Sequence, residues 1–238
     1  MLPQTEPRSA PPAAPVPAAA TPVPAPPRFV TAGLAPHLVP YTAGLALQER
    51  AADRVQRGVD RGTVYLLEHP PVYTAGRRSD PAEYPQDGTE VVAVDRGGKV
   101  TWHGPGQLVA YPVVRLAQGR GVVDFVRALE RMLIAVIAEH GVQGVQVAGR
   151  SGVWTHADHG PLAKIAQIGL HASAGIITHG LALNCSNELD AFDTFVPCGI
   201  TDAGVTSLSA LAGRTISPAD VVQGLERHLA ATLAEFAA

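Results

Sequence analysis

Two side chains in this sequence have the chemistry of a nucleophile and of a proton carrier. Cys198 stands in Thr194-Phe-Val-Pro-Cys-Gly-Ile200, with proline before it and glycine after, a loop setting in which another molecule can reach the sulfur. A thiol needs help to ionise at neutral pH, and a nearby ammonium stabilises the thiolate and later serves as a proton donor. Lys164 can supply it. The chain holds sixteen arginines and two lysines, Lys99 and Lys164, so arginine is its ordinary cation. Lys164 lies in the mostly apolar run Leu162-Ala-Lys-Ile-Ala-Gln-Ile-Gly-Leu170, which carries the amine toward the interior or a pocket. Arginine keeps its proton there, whereas a desolvated lysine can exchange one. The alternative is an edge-strand lysine that snorkels to water. A Cys-His pair is a second route to a thiolate, because His171 and His179 fall between the two residues in sequence. Cys185 closes the apolar run Leu181-Ala-Leu-Asn-Cys185 and reads as a packing residue.

The run Arg96-Gly-Gly-Lys-Val-Thr-Trp-His-Gly-Pro-Gly-Gln-Leu-Val-Ala-Tyr-Pro112 suits no single regular element and reads as a binding site. Gly97 and Gly98 let the backbone approach a ligand, and Gly104-Pro105-Gly106 imposes a tight turn between two β-prone runs. Arg96 and His103 stand beside those turns as donors, with Lys99 read as a solvated loop side chain. His156 and His159 are three apart in a turn without a third ligand at metal-site spacing, so no metal is expected there.

These residues need a scaffold. A helix is expected from Tyr41 to Arg61, stopping at Gly62, and another from Asp124 to His140, stopping at Gly141. Strands are expected at 63–67, 90–94, 107–111, 145–147, 152–154, 162–170 and 175–184. Ser217-Pro-Ala-Asp220 has the order of a helix start, ahead of Val221, Leu225, Leu229 and Leu233. Clustered strands with few helices point to an α+β fold rather than a doubly wound parallel sheet.

Composition sets outer limits. Of 238 residues, 46% are hydrophobic, enough for a sizeable core in a soluble, globular chain. A net charge of −3 argues against nucleic acid as a partner held by bulk electrostatics. Residues 1–27 hold ten prolines and seven alanines and read as a disordered tail, with no apolar block for a signal peptide or a membrane span. Two cysteines, thirteen positions apart, fit reduced thiols in a cytoplasmic protein better than a disulfide.

Seven blocks in order resemble the octanoyl transferases of lipoate biosynthesis. They are His69-Pro-Pro-Val-Tyr-Thr-Ala-Gly76, the Arg96 to Pro112 run, Gly152-Val-Trp154, Lys164-Ile-Ala-Gln-Ile-Gly169, His179-Gly-Leu-Ala-Leu-Asn184, Pro197-Cys-Gly-Ile200 and Gly204-Val-Thr-Ser-Leu208. The resemblance implies that residues 28–238 form a single α+β domain of the biotin/lipoate protein ligase type, a mixed, mostly antiparallel sheet with flanking helices and a groove for the acyl chain. It also implies that Cys198 carries an acyl thioester and that Lys164 tunes its ionisation. The substrate-binding segments would be Arg96, Gly97, Gly98, Lys99, Val100, Thr101, Trp102 and His103, then Gln167, Ile168 and Gly169, then Gly180, Leu181 and Ala182. Neither metal nor ATP is implied. The donor would be octanoyl-acyl carrier protein, with its phosphopantetheine thiol as leaving group. The acceptors would be lipoyl domains of 2-oxoacid dehydrogenase E2 subunits and glycine cleavage H protein. Both kinds of partner tend to be acidic, so Arg77, Arg78 and Arg96 are candidates for a local docking surface, set against the reading of Arg77 and Arg78 as ordinary solvated charges.

The chain departs from the family pattern at Trp102, where tyrosine or phenylalanine is commoner, and at Gln167, where a small residue is commoner. Both are expected to reshape the pocket. Three other functions are weighed against transfer. An ATP-dependent lipoate ligase shares the fold and loop but has no need of Cys198. A non-catalytic binding module would need neither Cys198 nor Lys164. A Cys-His hydrolase would depend on His171 or His179.

Overall fold

The structure, a computed structural model, describes residues 26–85, 88–156, 161–195 and 202–238. Strand β1 (Arg28–Gly33) leads to helix α1 (Tyr41–Gln56), then to strands β2 (Gly62–Leu67), β3 (Val72–Ala75), β4 (Val91–Ala93), β5 (Val100–His103) and β6 (Gln107–Arg115). Helix α2 (Val122–Ala138) is followed by β7 (Val145–Val147), β8 (Arg150–His156), β9 (Leu162–Ser173), β10 (Ile176–Asn184) and β11 (Gly204–Val205), and the chain ends on α3 (Leu208–Ala212) and α4 (Pro218–Phe236). The Pro/Ala-rich stretch lies outside the described residues except for its last two prolines, as do His159 and Cys198.

The large sheet has the order β1-β2-β6-β10-β9-β8-β7, with β11 on β9. Only β1 with β2 and β11 with β9 run parallel, so the sheet is mixed and mostly antiparallel, as expected. Neighbouring residues of β6 point to opposite faces. Val114 joins the main core with α2 and α4, through Leu129, Leu133 and Leu225 among others, while Val113 packs with Ala51 and Val55 of α1. Helices thus cover both faces. A second sheet, β4-β3-β5, has its own small core of Tyr73, Val100, Trp102 and Phe192.

Local chemistry explains the boundaries. Helix α1 stops before the expected Gly62 because Gly58, at φ +68, takes the left-handed position that terminates a helix. Helix α4 opens as read from Ser217-Pro-Ala-Asp220, with the Ser217 N–H donating to Asp220 Oδ2 at 2.8 Å. Strands β1, β3, β5 and β11 and helix α3 were not expected, and β6 runs through Pro112 instead of ending at Tyr111. Proline is costly inside a sheet because it cannot donate to the ladder. Here the β6–β10 register runs Ile177↔Val114 and resumes at Leu181↔Ala110, skipping the residues opposite Pro112. His179, in the skipped stretch, has φ +57 and gives its N–H to Oε1 of Gln48 on α1, at 2.6 Å.

Candidate active site

The break in the β6–β10 ladder opens onto a cavity of about 230 Å³, walled by the N-terminus of α1, the Arg96–Lys99 turn, β5, the 149–151 turn, β9 and β10. Gly180 is required in this wall. A β-carbon there would lie 1.9 Å from the Ala110 carbonyl oxygen, so β10 approaches β6 closely only without a side chain.

Arg96 is buried, at 7% exposed, and its guanidinium organises the turn that follows it. Nη1 donates to the carbonyls of Gly97 at 3.0 Å and Lys99 at 2.8 Å. Nη2 donates to the carbonyl of Thr74 at 2.6 Å and to its Oγ1 at 2.7 Å. The Gly97 N–H donates to Leu170 O at 2.9 Å, which seats the turn against β9. Arg77 and Arg78 are exposed, but Arg96 is not, so it cannot join them in a docking surface. Lys99, read as solvated, is instead half-buried and ion-paired with Glu83.

Alternation along β5 divides the next four expected binding residues. Thr101 and His103 line the cavity, whereas Val100 and Trp102 face the second core, where the Trp102 ring meets Phe192 edge-on at 5.8 Å. Trp102 therefore shapes that core and not the cavity wall. Gln167, Ile168 and Gly169 on β9, and Gly180, Leu181 and Ala182 on β10, all line the cavity.

Lys164 is on the same wall, 4% exposed, with Nζ 5.0 Å from the centroid of the Trp154 ring. A spacing of three would put Lys164 and Gln167 on opposite faces of a regular strand. The register with β8 runs Trp154↔Lys164 and then Val153↔Ala166, so Ile165 is the extra residue of a β-bulge, which returns both side chains to one side. Gly152 makes room for the amine, since a β-carbon there would lie 2.6 Å from Lys164 Cε. Glu130 of α2, fully buried, fixes this neighbourhood. It accepts from the Gly152 N–H at 3.0 Å, from Arg127 at 2.7 Å and from Gln146 at 2.7 Å. Its signal was a carboxylate in the middle of α2, well past the first-turn Asp124 and among largely apolar residues.

Sequence reasoning missed Tyr41 on the cavity wall, and it did not single out Tyr111 within the Arg96–Pro112 run. Burial lowers the His69 pKa to about 4, leaving the ring neutral, with Nδ1–H donating to Val39 O at 2.6 Å. Nε2 is then an acceptor, and the Tyr111 hydroxyl donates to it at 2.8 Å. Tyr41 in turn hydrogen-bonds Tyr111, and burial raises its own pKa to about 12. His103 is also neutral, its pKa lowered to about 3 by burial first and by His69 second. Its Nδ1–H donates to Gln107 Oε1 at 2.7 Å. At the rim, Nε2 of His179 donates to Asp95 Oδ1 at 2.8 Å, and His171 lies 3.3 Å from the other Asp95 oxygen. Burial lowers the His179 pKa against the pull of Asp95.

Of the described residues on either side of the Cys198 segment, those after it meet residues of the cavity wall, and Phe195 before it joins the second core. Phe195 packs edge-on against Tyr73 at 5.4 Å. Asp202 accepts from Arg150 at 2.6 Å, and Val205 pairs with Lys164. Cys185 is a free, fully buried thiol, as its packing role required, and burial pushes its pKa far up. Among the described residues no cluster of three or more His, Cys, Asp or Glu could hold a metal ion, and no helix is long and apolar enough to cross a membrane. The site joins a buried lysine and fixed neutral histidines to a cavity whose lining is part apolar and part polar, with Arg78, Arg96, Lys99 and Arg150 among its residues.

In comparison with known proteins, residues 40–230 match the lipoyl protein ligase A/B catalytic domain. An octanoyltransferase of Clavibacter sepedonicus is 54% identical over 209 residues, covering 86% of this chain and 90% of that protein. One from Salinispora tropica is 51% identical over 190 residues, covering 79% and 89%. Among solved structures, a lipoate-protein ligase A bound with ATP superposes with a TM-score of 0.67 at 14% identity, over 88% of this chain and 86% of that one. A bi-partite lipoate protein ligase from Thermoplasma acidophilum gives 0.66 at 15%, over 88% and 84%. These structures establish the lipoate protein ligase fold. The chain belongs to the lipoyl protein ligase A/B catalytic-domain family and, within it, to the octanoyltransferases.

Proposed function

We propose that this chain moves an octanoyl group from octanoyl-acyl carrier protein to a lysine of a lipoyl domain, on a 2-oxoacid dehydrogenase E2 subunit or glycine cleavage H protein, by way of a thioester on Cys198. The reading rests on one observation above the others. The rare lysine of the chain, Lys164, is buried at the wall of a cavity in a member of the octanoyltransferase family.

The thiolate of Cys198 attacks the carrier thioester, and the phosphopantetheine thiolate leaves with a proton from the Lys164 ammonium. The lysine of the acceptor then attacks the Cys198 thioester, the amide forms, and Cys198 leaves as thiolate while Lys164 takes the amine's proton. The pair is restored, and no net proton is stranded at the site. A thioester is a more activated acyl donor than the amide product, so no ATP is consumed. The exposed Arg77 and Arg78 receive the acidic partners.

Intact-mass measurement tests this. With octanoyl-acyl carrier protein and no ATP, the wild type should gain one octanoyl group and lose it to an added lipoyl domain, and Cys198→Ala should gain none. Product formed only from free octanoate and ATP would assign the chain to the ligases instead.

A further inference from the structure

Two cavity-lining side chains with unpaired polar atoms, Thr101 and Gln167, are left unused by the mechanism above, and Gln167 carries both a donor and an acceptor, on separate atoms. It is 7% exposed and lines the cavity, yet neither Nε2 nor Oε1 has a hydrogen-bond partner among the described residues. Buried amides are almost always paired, because an unpaired one has lost water and gained nothing. The Ile165 bulge brings Gln167 to the same side of β9 as Lys164, and the residue opposite it on β10 is the small Ala182. An unpaired, buried amide therefore stands in the same cavity wall as the amine.

Resting on the proposed function, we infer that the Gln167 carboxamide binds the reacting end of the acyl group. A saturated octanoyl thioester has one hydrogen-bond acceptor of any strength, its carbonyl oxygen, so Nε2–H has one partner on the chain. When Cys198 or the acceptor amine adds to the carbonyl carbon, the C=O π pair moves onto that oxygen and the Nε2–H bond becomes charge-assisted. When the intermediate collapses, the pair returns and the sulfur leaves. Oε1 accepts an N–H of the attacking amine and aims its lone pair at the carbon. Gln167 neither gains nor loses a proton, and Lys164 carries the protons.

The test uses the full-length chain and Gln167→Met, which keeps the side-chain length without the amide. The variant should lose roughly a hundredfold in kcat, the scale of one lost oxyanion donor. Its KM for octanoyl-acyl carrier protein should stay within about threefold, and its Tm should not fall, because an unpaired buried amide has been removed. A carrier whose phosphopantetheine bears an octyl thioether has no carbonyl, and it should bind wild type and variant alike. Unchanged kcat would overturn the inference, as would loss of thioether binding in step with activity, which marks a role in cavity shape. A tenfold or greater wild-type preference for 3-hydroxyoctanoyl over octanoyl, abolished in the variant, would also overturn it by assigning the amide to the middle of the chain. No transfer by the wild type would instead overturn the proposed function and this inference with it.

Discussion

Arg96 and Thr74 are joined twice, through Nη2 to the threonine carbonyl at 2.6 Å and to its hydroxyl at 2.7 Å. The first bond holds β3, the second orients a side chain toward His103, and Nη1 of the same guanidinium holds the glycine turn. One planar fork thus ties the second sheet to the cavity rim. A lysine has no such fork.

Arg96→Lys should therefore lose about 2 kcal/mol or more of unfolding free energy, on the scale of hydrogen bonds made by a charged group, as read by urea denaturation. Transfer should fall without a change in its salt dependence. The paired change Arg77→Glu and Arg78→Glu should do the reverse, leaving stability near wild type while transfer from the carrier weakens and its salt dependence is altered.

The neutral histidines make stability depend on pH. Free histidine titrates near 6.5, whereas His69 and His103 stay neutral down to about 4 and about 3. Below pH 6.5 the unfolded chain takes up protons that the folded chain refuses. The contribution is whole above pH 6.5 and is lost as pH falls toward those values, at about 1.4 kcal/mol per pH unit for each ring. His69→Asn, which can still donate to Val39, should reduce the slope between pH 6 and pH 4.5 in urea denaturation by about 1.4 kcal/mol per pH unit, one ring's share. Tyr111→Phe should instead cost about 1–3 kcal/mol at pH 7.5 by leaving His69 Nε2 without its donor.

The parts of the site legible in the sequence were those whose residue type was improbable in its setting. A lysine in an apolar run marked Lys164, and a glycine-rich stretch marked Arg96 to His103. What stayed hidden depended on register. Nothing local says that Ile165 is bulged, so Gln167 could not be put beside Lys164 from spacing alone. Val-Thr-Trp-His, at 100–103, was masked as a strand by the glycines around it, and its alternation was needed to send Trp102 away from the cavity. Tyr41 looked like any first residue of an amphipathic helix. Strand β6 was cut short at Pro112 because the local rule against proline is sound, and the ladder to β10 does lapse there, but the strand continues through its pairing with β2, where Val64 stands opposite Pro112.

Gly152 should prove the least replaceable residue beside Lys164. It has φ +105, and a β-carbon would lie 2.4 Å from Ala166 O as well as 2.6 Å from Lys164 Cε. Gly152→Ala should cost about 1–3 kcal/mol from backbone strain alone and displace the amine, lowering transfer at least tenfold. Gly213→Ala serves as the control. Gly213 also has positive φ, +64, but nothing lies within 4 Å of its β-carbon position, so stability should drop modestly while transfer per folded molecule stays unchanged.

The two cysteines should separate cleanly under alkylation. Cys185 is fully buried, and burial keeps it a thiol, so native protein should take up one equivalent of iodoacetamide and unfolded protein two. Cys198→Ala should take up none when native. Because the thiolate is the reactive form, the rate at pH 7 reports how far Cys198 is ionised. Lys164→Met removes the proposed ammonium and should slow labelling by about tenfold at pH 7, where a free thiol of pKa near 8.5 is mostly protonated. At pH 10 a thiol of ordinary pKa is ionised without help, so the two proteins should label at similar rates. Equal rates at pH 7 would remove Lys164 from thiolate stabilisation and return that task to a histidine, with His179 at the cavity wall as the side chain to replace next.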